Sequence, residues 1–546
     1  PYYEVPIGSN KNSIYAGALW IGGFDQSNQL LVAAQTYRQN AGNDFWGGPI
    51  AKDPNTSAMN VTVDQCEAFD RFWQINKTDV ENFIATGEAT DDIKSWPGNG
   101  NAANGELPTL APFFDANNDG SYNWEDGDYP YFKLDGDYPK DPVTGVTTCN
   151  DYLFGDRAIW WVFNDVGGNK TETNSNPIGL EIRSQAFAFN TTDDINFMTF
   201  YKYQIINRSS NTLDSTYFGV WCDPDLGNAS DDYVGCDVGL GLGYVYNGDP
   251  DDDGGGAYGL NPPAVGIDFF QGPLADEFDG VDNDKDGVVD ELGEEINMTR
   301  FVYYENVNNV PNGNPFTGDD YYEYLSGSWL DGQIITYGGN GRGSGTGATT
   351  TPCEYMFPDN TDPNFSTPWT MVTASIQPTD MRWLQSAGIF TLKPGAVNYI
   401  TTGVVWGRAT TGGPLASVAV VKRADVLAQS LFKKCFKVLD GPDAPDMAIR
   451  ELDQKLILTF EKTRTSKVEL YSEEDGAIPG IVADQVDDST VVFDTLTKDE
   501  KSYKFQGYKI YQVVDENVSV SDINDPAKSK LIAQLDMKDS VTILVN

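Results

Sequence analysis

Histidine is absent from this chain of 546 residues. Its absence removes Ser-His-Asp and Cys-His catalysis, His-ligated zinc or haem, and any imidazole pH switch. Basic residues are scarce, with 36 Lys and Arg against 81 Asp and Glu and a formal net charge of −45. A surface this acidic repels phosphate backbones and anionic headgroups, so neither nucleic acid nor a membrane surface is an expected partner. No apolar run approaches the roughly 18 residues of a membrane-spanning helix, and no membrane insertion is expected. The G-x-x-x-x-G-K-[ST] phosphate loop, the H-E-x-x-H zinc motif and the G-x-S-x-G nucleophile elbow are missing as well. What remains is chemistry built on carboxylates and backbone carbonyls, the ligands that hard cations such as Ca2+ prefer.

The acidity is not that of a disordered segment. Aromatic residues make up 12% of the chain and charged residues 21%, whereas disordered acidic chains are aromatic-poor and densely charged. Gly 55 and Pro 29 point to short strands joined by turns. At about 150 residues per domain the length allows about three or four domains. The expected fold class is mainly β: an antiparallel, jelly-roll-like β-sandwich with a few helices, followed by a smaller β-sandwich. The expected division is 1–150, a β-rich segment with short helices; 151–439, the sandwich with acidic loops and a terminal helix; and 440–546, entered through the linker KVLDGPDAPD. The chain opens PYYEVPIGS, without Met or an apolar leader, and closes on DMKDSVTILVN in a strand pattern, which reads as a fragment of a longer protein.

SIYAGALWIGGF, residues 13–24, reads as two short strands around Gly17. Thr62 with Gln65, and Thr78 with Glu81, make capping-box patterns, and Cys66, Phe69, Phe72 and Trp73 recur at helical spacing as a core stripe. Between Tyr152 and Tyr246, the runs AIWWVFND, GLEIRSQAFAFN, NFMTFYKYQIIN and STYFGVWCD are β-branched and aromatic, separated by turn residues. A last helix is predicted over about 415–436, with Val420, Ala424, Leu427, Leu431 and Cys435 on one face. Six cysteines are too few for a disulfide scaffold. Cys222 and Cys236 flank one acidic loop and form the candidate disulfide, while Cys66 and Cys435 sit in helical patterns and read as buried thiols.

The acidic residues are grouped. In FFDANNDGSYNWEDGD, Asp115, Asn117, Asp119, Ser121, Asn123 and Asp126 fall at the first, third, fifth, seventh, ninth and twelfth places of a Ca2+ loop, with Gly120 at the sixth for the sharp turn. Asp in place of Glu at the twelfth position resembles dockerin-type loops, and a solvated Asx-rich turn is the alternative. In FDGVDNDKDGVVDELGEE the expected ligands are Asp282, Asp284, Asp286, Val288, Asp290 and Glu291. That string resembles the metal-binding repeats of secreted bacterial proteins and thrombospondin-like calcium repeats. So dense a carboxylate run repels itself unless a cation neutralises it. A third candidate, WCDPDLGNASDDYVGCD, gathers Asp223, Asp225, Asp231, Asp232 and Asp237. The cofactor expected from all three is Ca2+.

SIYAGALWIGGFD, TYRQNAGNDFWGGPI, WCDPDLGNASDDYVGCDVGLGLGYVYNGD and YKFQGYKIYQVV together resemble large secreted proteins of Bacteroidota, cargo of the type IX secretion system. The resemblance spans most of residues 10–540 and implies a secreted or cell-surface location. The segment after residue 440 resembles a fibronectin type III module, with KLILTF as an early strand and GYKIYQVV as a central one, although the usual early-strand tryptophan is missing. The same bacterial group O-glycosylates Asp-Ser/Thr motifs, which here match at Ser215, Ser489, Thr495 and Ser540. The expected function is that of a calcium-stabilised structural or adhesive protein without catalysis, whose partners are other cell-surface proteins or polysaccharide. Two alternatives stand beside it: a polysaccharide-binding or polysaccharide-degrading protein that uses a carboxylate pair, and a self-assembling filament subunit.

Overall fold

The structure is a computed structural model. It describes residues 3–37, 42–53, 55–134, 138–140, 148–191, 194–285, 287–290, 292–437, 445–453, 455–461, 471–474, 481–487, 490–495, 497, 502–514, 526 and 528–536. The chain divides into two compact units, Pro1–Gln429 and Ser430–Asn546.

The first unit is an antiparallel β-sandwich. Its main elements include β1 (Asn12–Ile14), which pairs with the two-residue strand Tyr3–Glu4, then β2 (Ala16–Asp25), β3 (Leu30–Ala33), β4 (Trp46–Gly47), α1 (Val63–Ala68), β5 (Trp73–Asn76) and α2 (Lys77–Thr86). They continue with β6 (Arg157–Asn164), β7 (Leu180–Ala188), β8 (Thr199–Asn207), β9 (Leu213–Asp223), β10 (Asp232–Asp237), β11 (Leu242–Asn247) and β12 (Ala264–Gln271). The last are β13 (Arg300–Glu305), α3 (Gly318–Ser326), β14 (Met381–Leu392), β15 (Val397–Gly407) and α4 (Pro414–Phe432). One sheet has nine strands in the order β10-β11-β12-β15-β8-β7-β6-β4, with β5 also on β6; the other has five, β13-β14-β9-β2-β3.

The two sheets face each other. Phe218 of β9 meets Phe269 of β12 edge to face at 5.9 Å, and the buried Gln385 amide of β14 donates to the carbonyl of Ile267 at 3.0 Å. Each sheet is capped on its outer face by a helix. Tyr321 of α3 packs edge-on against Trp20 at 4.6 Å. On the other sheet α4 lies across β12, where a Cβ at Gly266 would stand 3.3 Å from a methyl of Val421, so the bare glycine sets how closely the helix sits.

The four long runs between Tyr152 and Tyr246 fall on β6, β7, β8 and β9. Other local readings change. The break in residues 13–24 is at Tyr15, whose N–H turns to the carbonyl of Asp223 (2.9 Å), and Gly17 lies inside β2 opposite Cys222. Thr62 caps α1 through Gln65 N–H (3.2 Å), as its motif predicts. Thr78, however, lies in the first turn of α2: the helix starts after Asn76, whose amide donates to Asp79. The aromatic stripe is also broken, because α1 stops at Ala68 and Trp73 belongs to β5, while Phe72 is 66% exposed against Trp161. In α4 the buried face runs through Val418, Val421, Ala424 and Ala428, and Leu427 is 41% exposed.

In the second unit β16 (Asp446–Leu452) pairs with β17 (Lys455–Glu461) and β18 (Ser472–Glu474) with β21 (Ser502–Lys504). Likewise β19 (Ile481–Asp487) pairs with β20 (Thr490–Thr495) and β22 (Gly507–Val513) with β23 (Ser529–Asp536), every pair antiparallel. Tyr508 stacks on Phe460 at 5.1 Å and joins two of these ladders.

Candidate metal centres

Among the described residues, three carboxylates converge to within 4.8 Å of one another at two places: Asp282 with Asp284 and Glu294, and Asp223 with Asp225 and Asp380. The first lies in the long connection between β12 and β13. Backbone N–H groups organise this loop before any ion is considered. Asp279 accepts from Val281 (2.8 Å), Asp290 from Gly280 (2.9 Å) and Asp282 from Gly287 (3.0 Å), while the buried Glu294 accepts from Asn283. Gly287, at φ +99, makes the turn that its place in the motif requires.

Two of the expected ligands, Asp282 and Asp284, are therefore brought together, whereas Asp290 accepts the Gly280 N–H. Val288, at the seventh place, is expected to offer its backbone carbonyl, and its side chain is exposed. Asp286 and Glu291 lie outside the described residues. The third carboxylate is Glu294, which the motif does not include. Its signal was faint: it stands one place beyond the twelfth position, two residues before the fully buried Ile296 that anchors the loop's return.

The loop at 115–126 is organised by its own backbone N–H groups in the same way. Asp115 accepts the N–H groups of Asp119 (3.2 Å) and Gly120 (2.7 Å), Asn117 that of Asp119 (3.0 Å) and Asp119 that of Ser121 (2.8 Å). Asn123 accepts from Glu125 (3.2 Å), and its amide donates to Asp126 (2.8 Å). The buried Asp128 fastens the loop from beneath through Ala116 and Asn123. Asp115, Asp119 and Asp126 do not form one of the converging groups.

The third acidic string is divided among separate places, and the reason is β10. Asp232 begins that strand and Asp237 ends it, which sets them about 17 Å apart at the rise of an extended chain. Asp237 accepts Lys422 of α4 at 2.7 Å. Asp223 instead ends β9, in the other sheet, where it accepts the Tyr37 hydroxyl (2.6 Å) and Arg382 (3.1 Å). Arg382 also binds Asp380, and among the described residues it is the one cation ion-paired to this carboxylate triad. Burial pushes the Asp223 carboxyl up to about 7 against the pull of Arg382, and burial with Asp380 lifts Asp225 to about 6.

The expected disulfide between Cys222 and Cys236 is not formed: both thiols are free and buried. Cys222 pairs with Gly17 and Trp383 in the five-stranded sheet, whereas Cys236 sits opposite Gly243 in the nine-stranded one. Cys66 is free and half-buried, but Cys435, expected as a thiol, is disulfide-bonded, as is Cys149. Of the glycosylation candidates, Ser215 is exposed at φ +49 in a bulge of β9. Thr495 closes β20, and Ser489 and Ser540 lie outside the described residues.

No protein-family model matches this chain, and neither does any curated protein searched. Function is therefore argued from the chemistry of the sites.

Proposed function

We propose that this chain is a secreted or cell-surface structural or adhesive protein whose acidic loop at 279–294 is held by Ca2+. The observation that carries this reading is the convergence of Asp282, Asp284 and Glu294 within 4.8 Å. Three carboxylates at that separation repel one another, and a divalent ion reverses the sign of the interaction. An all-oxygen donor set on an irregular loop suits Ca2+ better than Mg2+, which demands a tight octahedron, and better than softer metals.

The surface location rests on the likeness to type IX secretion cargo and to a fibronectin type III module after residue 440; the partners on this reading are other surface proteins or polysaccharide. The role of the ion is thermodynamic. It binds the folded loop and not the unfolded one, which adds about 2.7 kcal/mol at a hundredfold excess over Kd. Thermal unfolding with Ca2+ and with EGTA tests this. The unit Pro1–Gln429 has an unfolding entropy near 0.9 kcal/mol/K at about 2.1 cal/mol/K per residue, so one saturated site raises the midpoint by about 3 °C. Asp282→Asn with Asp284→Asn should remove that increment. A midpoint indifferent to Ca2+ rejects the reading.

A further inference from the structure

A different set of oxygens, outside the two carboxylate triads, is left without donors at the start of β10. Asp232 stands directly across the ladder from Asn247, the last residue of β11, and both are 1% exposed. Paired residues in an antiparallel ladder hold their side chains side by side on one face. Asp232 uses Oδ2 to accept Leu226 N–H (2.9 Å), and its Oδ1 meets no donor. Asn247 donates its amide to the carbonyl of Asp249 (3.0 Å), and its Oδ1 likewise meets none. Asp231 Oδ1 and Asn12 Oδ1 are buried in the same condition.

The turn at residues 226–228 touches three of the surrounding segments, beginning with Leu226 on Asp232. Gly227 donates to the backbone carbonyl of Asn12 (2.8 Å), which brings β1 alongside, and Asn228 donates to the buried Asp252 (3.1 Å). A Cβ at Gly227 would stand 1.9 Å from Asp252 Oδ2, so that carboxylate presses directly on the turn. The charge balance is unfavourable as it stands. Arg382 and Lys422 serve Asp223 and Asp237, and among the described residues Asp231, Asp232 and Asp252 have no ion-paired cation. Lys11, whose charge acts on Asp252, turns its ammonium to the carbonyl of Tyr258 at 3.5 Å.

A buried polar oxygen without a donor costs about 1–3 kcal/mol. A proton on Asp232 directed at Asn247 would satisfy two of the four oxygens; a cation can satisfy all of them. We propose that Asn12, Asp231, Asp232 and Asn247 bind a hard divalent cation, Ca2+ by the chemistry of mixed amide and carboxylate oxygens, which ties the N-terminal strand β1 to the β10–β11 hairpin. The amide oxygens are the distinctive element, because an amide cannot be silenced by taking up a proton in this pH range. This site does not depend on the loop at 279–294 binding an ion.

Native mass spectrometry of the full chain from Ca2+-containing buffer counts the ions. Asp232→Asn with Asn247→Ala should carry one Ca2+ fewer than the parent, while Asp282→Asn with Asp284→Asn should keep this ion and lose another. An unchanged count in a folded Asp232→Asn, Asn247→Ala protein overturns the proposal, whatever happens at 279–294. If that variant does not fold, anomalous diffraction from the unmodified chain crystallised with Ca2+ decides. An anomalous peak among Asn12, Asp231, Asp232 and Asn247 supports the site, and a structure in Ca2+ without one rejects it.

Discussion

Replacing Lys170 with Met should loosen the two sheets of the sandwich from each other. The Lys170 ammonium lies 2.8 Å from Asp165 Oδ2, and both side chains are 0% exposed. It also donates to the carbonyl of Val32 in β3 (2.8 Å), while Asp165, just past β6, accepts the N–H groups of Ile178 (2.6 Å), Gly179 (2.8 Å) and Leu180 (2.7 Å). One ion pair thus joins the five-stranded sheet to the nine-stranded one. Breaking a buried pair by removing one partner costs about 3–5 kcal/mol, because the remaining charge stays buried. In Lys170→Met the Asp165 carboxylate keeps three N–H donors, which places the cost near the lower bound, about 3 kcal/mol. Asp165→Ala strands an ammonium and three N–H groups together and should exceed about 5 kcal/mol. Urea unfolding followed by tryptophan fluorescence measures both, and the double variant should cost less than the sum. Arg342→Met serves as the control. Its pair with Asp331 has side chains 20 and 35% exposed, and its loss should cost no more than about 1 kcal/mol. If Lys170→Met destabilises no more than Arg342→Met, the reasoning is refuted.

Other expectations follow from buried titratable groups and close packing. Burial lowers Lys202 to about 7. Between there and its ordinary value near 10.4 the unfolded chain binds a proton that the folded chain does not, so stability rises with pH across that window. Lys202→Met should flatten that rise in denaturation midpoints from pH 7 to 10, and an unchanged slope would contradict it. Asp425 of α4 and Asp268 of β12 lie within hydrogen-bonding reach of each other, with Asp237 and its partner Lys422 nearby, and burial raises both carboxyls. The folded chain then retains a proton that the unfolded chain releases above the usual carboxylate range, and stability falls as pH rises through that interval. Asp425→Asn should lessen the fall between pH 5 and pH 7 in urea midpoints. At Gly243 an added Cβ would stand 2.3 Å from Gln385 Oε1 and 2.8 Å from the Phe301 ring, so Gly243→Ala should lower stability by about 1–3 kcal/mol in the same assay.

The strands of the first unit were legible because they announce themselves locally. Arg157–Asn164 alternates buried with more exposed positions and Leu180–Ala188 is buried on both faces, as their β-branched and aromatic content implies. Strand order was not legible, since pairing between distant segments leaves no local trace. That gap explains the misread disulfide and the division of the third acidic string. DYVGC reads as loop between two cysteines, yet it is a strand of the nine-stranded sheet, so Cys222 and Cys236 cannot meet and the five aspartates are split: Asp223 and Asp225 converge with Asp380, while Asp232 and Asp237 stand at opposite ends of the strand. Asp380 joins Asp223 and Asp225 from the start of β14, more than 150 residues away. Asn12 and Asn247 carry no motif signal at all, because they stand outside any loop spacing and become candidate ligands only through burial that leaves their oxygens without donors. The spacing at 115–126 was fully visible, whereas the backbone N–H groups that Asp115 and Asp119 accept depend on the loop's own turns.

The central place of β9 between β2 and β14 has a kinetic consequence. Ala16 pairs with Asp223, a partner about 200 residues further along the chain. At synthesis rates of about 5–20 residues per second, that partner follows by about 10–40 s. For that interval the apolar stretch Leu19–Phe24 has no β9 to pair with, and its neighbour β3 supplies only a short hairpin. Pairing of such long range is slow to form and leaves strands open to wrong partners meanwhile. The run Leu19–Gly23, buried in the finished sandwich, is on the growing chain a surface that must be kept from other partners until β9 emerges.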